Sequence, residues 1–250
     1  MMSRWARLVT VIALVVPSVG CQKSDSALIA TIPTPTTRLA QTASTTLSVP
    51  SQPPSIPSQN AAKSQLPYEA RLVDIRSVNE KIAIDIRYAT TNNFLKRKLY
   101  PVGRCVLRGA AARRLSQVQD DLAKQGLGLK VYDCYRPLSV QKQMWEVLPD
   151  SNYVANPAKG SRHNRGAAVD ITLVDHNGRE LEMPTGFDDF TERAHRNYSG
   201  GSAQVLKNRQ LLEDVMKKYG FIPLATEWWH FDAPGWDKFS ILDVPFGEIP

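Results

Sequence analysis

From about residue 68 onward the chain reads as a succession of short apolar periods. Ile82-Ala83-Ile84-Asp85-Ile86 alternates apolar and other positions and predicts a strand, and Leu72-Val73-Asp74-Ile75 has the same character. Ala111, Leu115, Val118 and Leu122 recur at helical spacing, and Gly126 marks a stop. Leu127 to Tyr135 reads as a strand broken by Pro137, after which Ser139 is placed to cap a helix carrying Val140, Met144, Val147 and Leu148. Val169 to Val174 predicts another strand, with Asn177-Gly178 turning the chain back toward Leu181. A last long helix spans about Gln204 to Tyr219 and ends at Gly220, followed by a strand carrying His230. Strands and helices alternate without βαβ regularity or a glycine-rich phosphate loop. That order predicts an α+β fold, a central antiparallel sheet flanked by helices.

The first 67 residues show no such periodicity. Met1 to Gly20 has the layout of a secretory signal: Arg4 and Arg7, an apolar run from Leu8 to Val16, then Ser18-Val19-Gly20. The nine-residue run is too short to span a bilayer as a mature helix. Cys21 follows Gly20 directly, as at a bacterial lipoprotein cleavage site, although Ser18 stands where Leu is usual; plain secretion is the alternative to a lipid on Cys21. Residues 31–67 hold seven Pro, seven Thr and six Ser, a composition that buries too little apolar surface to offset its ordering entropy. Residues 21–67 are therefore expected to be a disordered tether with a reach of roughly 40 Å. The expected organisation is a signal at 1–20, a tether at 21–67 and one domain at 68–250, extracytoplasmic and held to a membrane only through a lipid anchor.

Charge changes this picture little. The formal net charge is +7, but the region from residue 68 on balances 26 basic against 23 acidic residues. Lys96-Arg97-Lys98 is short and lacks interleaved aromatics, so no nucleic-acid partner is expected. Cys105 and Cys134 are either a disulfide, which export permits, or two buried thiols. No His is placed to make either a nucleophile. Oligomeric state is not legible.

The chemistry concentrates in two stretches, Ser161-Arg162-His163-Asn164-Arg165-Gly166-Ala167-Ala168-Val169-Asp170 and Glu227-Trp228-Trp229-His230. His163, Asp170 and His230 make a three-ligand set suited to one catalytic Zn²⁺ with an open fourth position, and Glu227 is a candidate base for a water there. An acid between Val169 and Ile171 in a strand is costly to bury without a metal or hydrogen-bonding partner. His176, in a turn, and His195, in a polar stretch, carry no such context. One condition attaches to Glu227. An offset of three on an ideal strand would point it away from His230, so a turn or bulge is required at Ala225-Thr226-Glu227.

The pattern Ser-x-His-x-x-Gly-x-Ala-x-Asp followed by Glu-x-x-His resembles the D-Ala-D-Ala metallopeptidases, a superfamily that includes hedgehog-type domains. Asp85-Ile86-Arg87-Tyr88-Ala89-Thr90 with Asn93-Phe94, Tyr132-Asp133-Cys134-Tyr135-Arg136-Pro137, Phe187-Asp188 and Glu227-Trp228-Trp229-His230-Phe231 resemble the D-alanyl-D-alanine dipeptidases in particular. The resemblance runs from about residue 70 to the end. It implies that Glu227 moves the protons and that Arg136 steadies the oxyanion. It also implies that Asp188, or Asp189 next to it, receives the ammonium of a small D,D-dipeptide with Tyr88 and Ser161 as hydrogen-bonding companions. The expected activity is hydrolysis of D-Ala-D-Ala in wall turnover or scavenging. A D,D- or L,D-carboxypeptidase on the same zinc set and a non-catalytic wall-binding lipoprotein are the rivals.

Overall fold

The computed structural model describes residues 66–250. The signal segment, Cys21 and nearly all of the tether lie outside the described residues. Among the described residues, seven strands and three helices follow one another: β1 (Leu72–Asp74), β2 (Ala83–Ile84), β3 (Val106–Arg108), α1 (Gly109–Ala123), β4 (Leu127–Asp133), α2 (Leu138–Val147), β5 (Ala168–Asp175), α3 (Ala203–Lys218), β6 (Ile222–Pro223) and β7 (His230–Asp232). The main sheet has the order β2-β4-β5-β7-β6, and β1 pairs with β3 in a separate ribbon. Its pairs are antiparallel except β2 with β4, so the expected antiparallel sheet carries one parallel edge.

β5 lies at the centre, and its first seven residues are all buried. Both faces are covered, which is why Val169 to Val174 reads as a continuous apolar run around one acid rather than an alternation. α1 covers one face with Ala111, Ala112, Leu115, Val118 and Leu122, all at most 2% exposed. Truncating Leu115 to Ala would cost about 2–5 kcal/mol, the range for a fully buried leucine. Gln119 on the same helix is also buried and accepts the Leu129 N–H at 2.8 Å, tying α1 to β4.

Three expectations are corrected. Ser139 does not cap α2: the helix starts at Leu138 behind Pro137 with no side-chain cap, and the Ser139 N–H bonds Asp243 Oδ1 at 2.8 Å. Val147 is 54% exposed, so the buried face of α2 rests on Val140 and Met144. The strand at Ile82–Ile86 shrinks to Ala83–Ile84, because after Asp85 bonds Val131 O the chain turns into a 3-10 segment at Arg87–Ala89. α3, by contrast, opens on a side-chain cap, Ser202 Oγ accepting from Val205 N–H.

Candidate active site and metal centre

The site begins as a row across the sheet. Asp133 of β4 pairs in register with Asp170 of β5, and Asp170 pairs with His230 of β7. A bulge between Val131 and Asp133 sets the last β4 residue into that row. His163 comes to it from a 3-10 turn, His163–Arg165, closed by Gly166 at φ +66°. Glycine suits that left-handed backbone, and an added Cβ would press on Leu72 Cδ2 at 2.6 Å.

His163, Asp170 and His230 are all buried, and one ligand atom from each lies within 4.8 Å of the others. His163 Nε2 is 3.1 Å from His230 Nδ1, and these two nitrogens lie 3.4 and 2.9 Å from Asp170 Oδ1. The outer ring nitrogens settle where the protons sit. His163 Nδ1 is 2.7 Å from the Cys134 carbonyl, which only accepts, so Nδ1 carries the proton. His230 Nε2 faces the Asp232 carboxylate at 2.9 Å and donates to it. With a metal bound and both rings neutral, the two inner nitrogens would aim their lone pairs at the same point as the carboxylate. That is the donor set of a divalent metal site, with its outer partners already in place. The electrostatics agree. Burial alone would raise the pKa of Asp170, but the two imidazoles hold it far below the usual carboxylate range. Burial would lower that of His230, but the hydrogen bonds to Asp170 and Asp232 lift it to about 10. A site that attracts a proton so strongly attracts a metal cation for the same reason.

Glu227 sits on the required turn. Its N–H reaches Leu224 O at 3.4 Å, and the His230 N–H reaches back to Glu227 O at 3.3 Å, so β7 begins only at His230. This places Glu227 Oε2 4.0 Å from His230 Nδ1. Burial, partly offset by His230, raises its pKa to about 7. Arg136 is buried, with Nε and Nη2 donating to Asp133 Oδ2 at 3.1 and 2.7 Å and Nη1 to Gln141 at 2.9 Å. Burial works against its charge, but Asp133 keeps it cationic. Its corner is locked to the ligand turn, since the Arg136 N–H bonds His163 O and Asn164 Nδ2 bonds Arg136 O.

These groups open into a cavity of about 290 Å³ that Tyr88 and Asp188 also line. Asp188 Oδ1 accepts from the Tyr88 hydroxyl at 2.9 Å, and its own backbone has φ +61°. Burial, opposed by that hydrogen bond and reinforced by Asp170, raises its pKa to about 7. Asp189 instead accepts the Thr191 N–H in a local turn. Ser161 lines the same cavity, and its hydroxyl accepts the His163 N–H at 3.2 Å, which shapes the ligand turn. Cys105 and Cys134 form a disulfide.

Residues 68–246 match the family described as D-ala-D-ala dipeptidase. The chain belongs to that family. A D-alanyl-D-alanine dipeptidase of Escherichia coli (strain K12) is 35% identical over 175 residues, covering 70% of this chain and 91% of that protein. One from Enterococcus faecium is 33% identical over 168 residues, covering 59% of this chain and 83% of its own length. Among solved structures, a point mutant of the vancomycin resistance D,D-pentapeptidase VanY from a VanB-type resistance cassette, in complex with Zn(II), is 16% identical. The match covers 68% of this chain and 90% of that one, at a TM-score of 0.34. Membership makes this chain a dipeptidase, a hydrolase of peptide bonds. One partner of the site went unread in the sequence, Asp232, although it had a signal: two residues beyond His230 on a strand, it shares that residue's face.

Proposed function

We propose that this chain is a zinc dipeptidase that cleaves free D-Ala-D-Ala to two D-Ala. The observation that carries the reading is the cavity's content. A three-donor metal set and a carboxylate stand at one end, and a second carboxylate bonded to Tyr88 lines the same 290 Å³ space. His163, Asp170 and His230 would hold one Zn²⁺, which when bound supplies Lewis acidity and brings the pKa of a water to about 7. Glu227, its own pKa near 7, takes the proton of the attacking water and returns it to the leaving amine. Three bonds to Asp133 and Gln141 leave Arg136 with N–H donors for the oxyanion, fixed before the reaction begins. Asp188 and Tyr88 receive the substrate ammonium, a contact that a longer N-acylated stem lacks.

The test compares D-Ala release from free D-Ala-D-Ala and from a stem peptide ending in the same residues. Faster release from the free dipeptide is expected; equal or faster cleavage of the stem would make the enzyme a carboxypeptidase. The same proposal places the domain outside the cytoplasm, in scavenging or wall turnover. The signal-like residues 1–20 support it, as does the Cys105–Cys134 disulfide, a bond that persists in oxidising compartments. Fractionation should find the native chain with membranes and a Cys21→Ser variant released; native protein in the cytosol would overturn the placement.

A further inference from the structure

Glu227 lies on a turn before β7, outside the strand pairing that holds Asp170 and His230. His230 is fixed by its pairing with β5, and Trp229 O accepts the Ile171 N–H at 3.0 Å. Within the turn carrying Glu227 the backbone bonds are long: Leu224 N–H to His230 O at 3.2 Å, Glu227 N–H to Leu224 O at 3.4 Å and His230 N–H to Glu227 O at 3.3 Å. A general base must nevertheless be placed to a fraction of an ångström.

Support arrives from a distant segment. Arg196 Nε donates to Leu224 O at 2.8 Å and Nη2 to His230 O at 2.9 Å, so one guanidinium joins the first and last residues of the turn. The Arg196 backbone N–H donates to Ala225 O at 2.9 Å, and Trp228 N–H donates to Ala194 O at 3.0 Å. The guanidinium is itself held. Nη1 bonds Glu213 Oε2 on α3 at 3.2 Å, and the plane lies 4.3 Å over the Phe231 ring. Five fixed donors in a planar fork suit this task; a lysine ammonium reaches fewer carbonyls and with less definite geometry.

We infer that Arg196 is a positioning residue for catalysis: it staples residues 224–230 into the turn that holds Glu227 beside the metal-binding residues. The inference rests on the dipeptidase reading for its kinetic consequence but not for its structural one. It predicts a split. Losing the staple should loosen Glu227 while leaving His230, which the sheet holds, able to bind metal.

The experiment measures Arg196→Ala, Arg196→Lys and Glu213→Gln beside the native chain. Its readouts are kcat and KM on D-Ala-D-Ala, bound zinc per chain, and amide exchange at residues 224–230. Arg196→Ala should lower kcat about 10²-fold, the loss typical of a misplaced catalytic group, with KM and zinc content held and exchange accelerated in the turn. Added guanidinium ion should restore part of kcat. Arg196→Lys should be intermediate and Glu213→Gln mild, and these two carry the test if the alanine variant fails to fold. Unchanged kcat, or zinc lost in parallel with kcat, would overturn the inference. If the native chain does not cleave D-Ala-D-Ala, the dipeptidase reading fails, and exchange at 224–230 still decides whether the staple exists.

Discussion

The two ends of the cavity are built on different principles. At the metal-binding end, Asp170 and His230 sit opposite each other on paired strands, and every outer polar group has a partner: Cys134 O for His163, Asp232 for His230, Asp133 for Arg136. At the other end, Asp188 sits in an irregular segment with a left-handed backbone, and its hydrogen bonds to Tyr88 and Phe94 come from another irregular segment. Two of the three metal ligands thus ride on paired strands, whereas the carboxylate proposed to receive the ligand rides on a loop. Variants at the two ends should therefore fail differently, the first in turnover or metal content and the second in binding.

The largest effect is expected at Glu227. Glu227→Ala should keep its zinc and lose kcat by at least the 10²–10⁴ typical of general acid–base help, since one carboxylate serves both proton transfers. Arg136→Ala should lower kcat by about 10²–10³. It should also cost about 3–5 kcal/mol of stability, because fully buried Asp133 loses its paired charge. Near-normal kcat in either variant, measured at saturating dipeptide, would remove that residue from the chemistry.

Opening the Cys105–Cys134 disulfide comes next, at about 3–4 kcal/mol for a loop of 29 residues. A Cys105→Ser/Cys134→Ser double variant, compared with the native chain in denaturant melts, checks it. Because Cys134 O positions His163, weaker zinc retention should accompany the loss.

Asp188 should give the smallest effect and the most selective one. Asp188→Asn should weaken the free dipeptide by about 1.5–3 kcal/mol, the worth of a charge-assisted hydrogen bond, and leave an N-acylated analogue untouched. Its pH dependence has a definite sign. Burial holds the Asp188 pKa up at about 7, and only the ionised form pairs with an ammonium. Therefore kcat/KM on the free dipeptide should rise as pH climbs through about 7, and Asp188→Asn should flatten that limb by one proton. An unaltered limb would assign it to Glu227 alone.

Much of this was legible in the chain, because the metal-binding end obeys local rules. Small residues at Gly166, Ala167 and Ala168 beside a His, and an acid inside an apolar strand, mark a buried polar site without knowledge of the fold. The need for a turn before His230 followed from strand periodicity, and two successive turns supply it. What stayed hidden depends on long-range pairing. β3 is only three residues long and exists through β1. The role of Arg196 emerges only when residues about thirty apart meet, and its sequence surroundings look like ordinary charged surface. Ser139 shows the opposite error: a good capping residue whose N–H was instead taken by Asp243, more than a hundred residues away.

The central claim is that three residues on this scaffold make one metal site. Metal analysis of the purified native chain beside His163→Ala tests it most directly. The account predicts one tightly bound zinc per chain in the native protein and none in the variant, since two remaining ligands hold the ion poorly. Full zinc in the His163→Ala protein would contradict it.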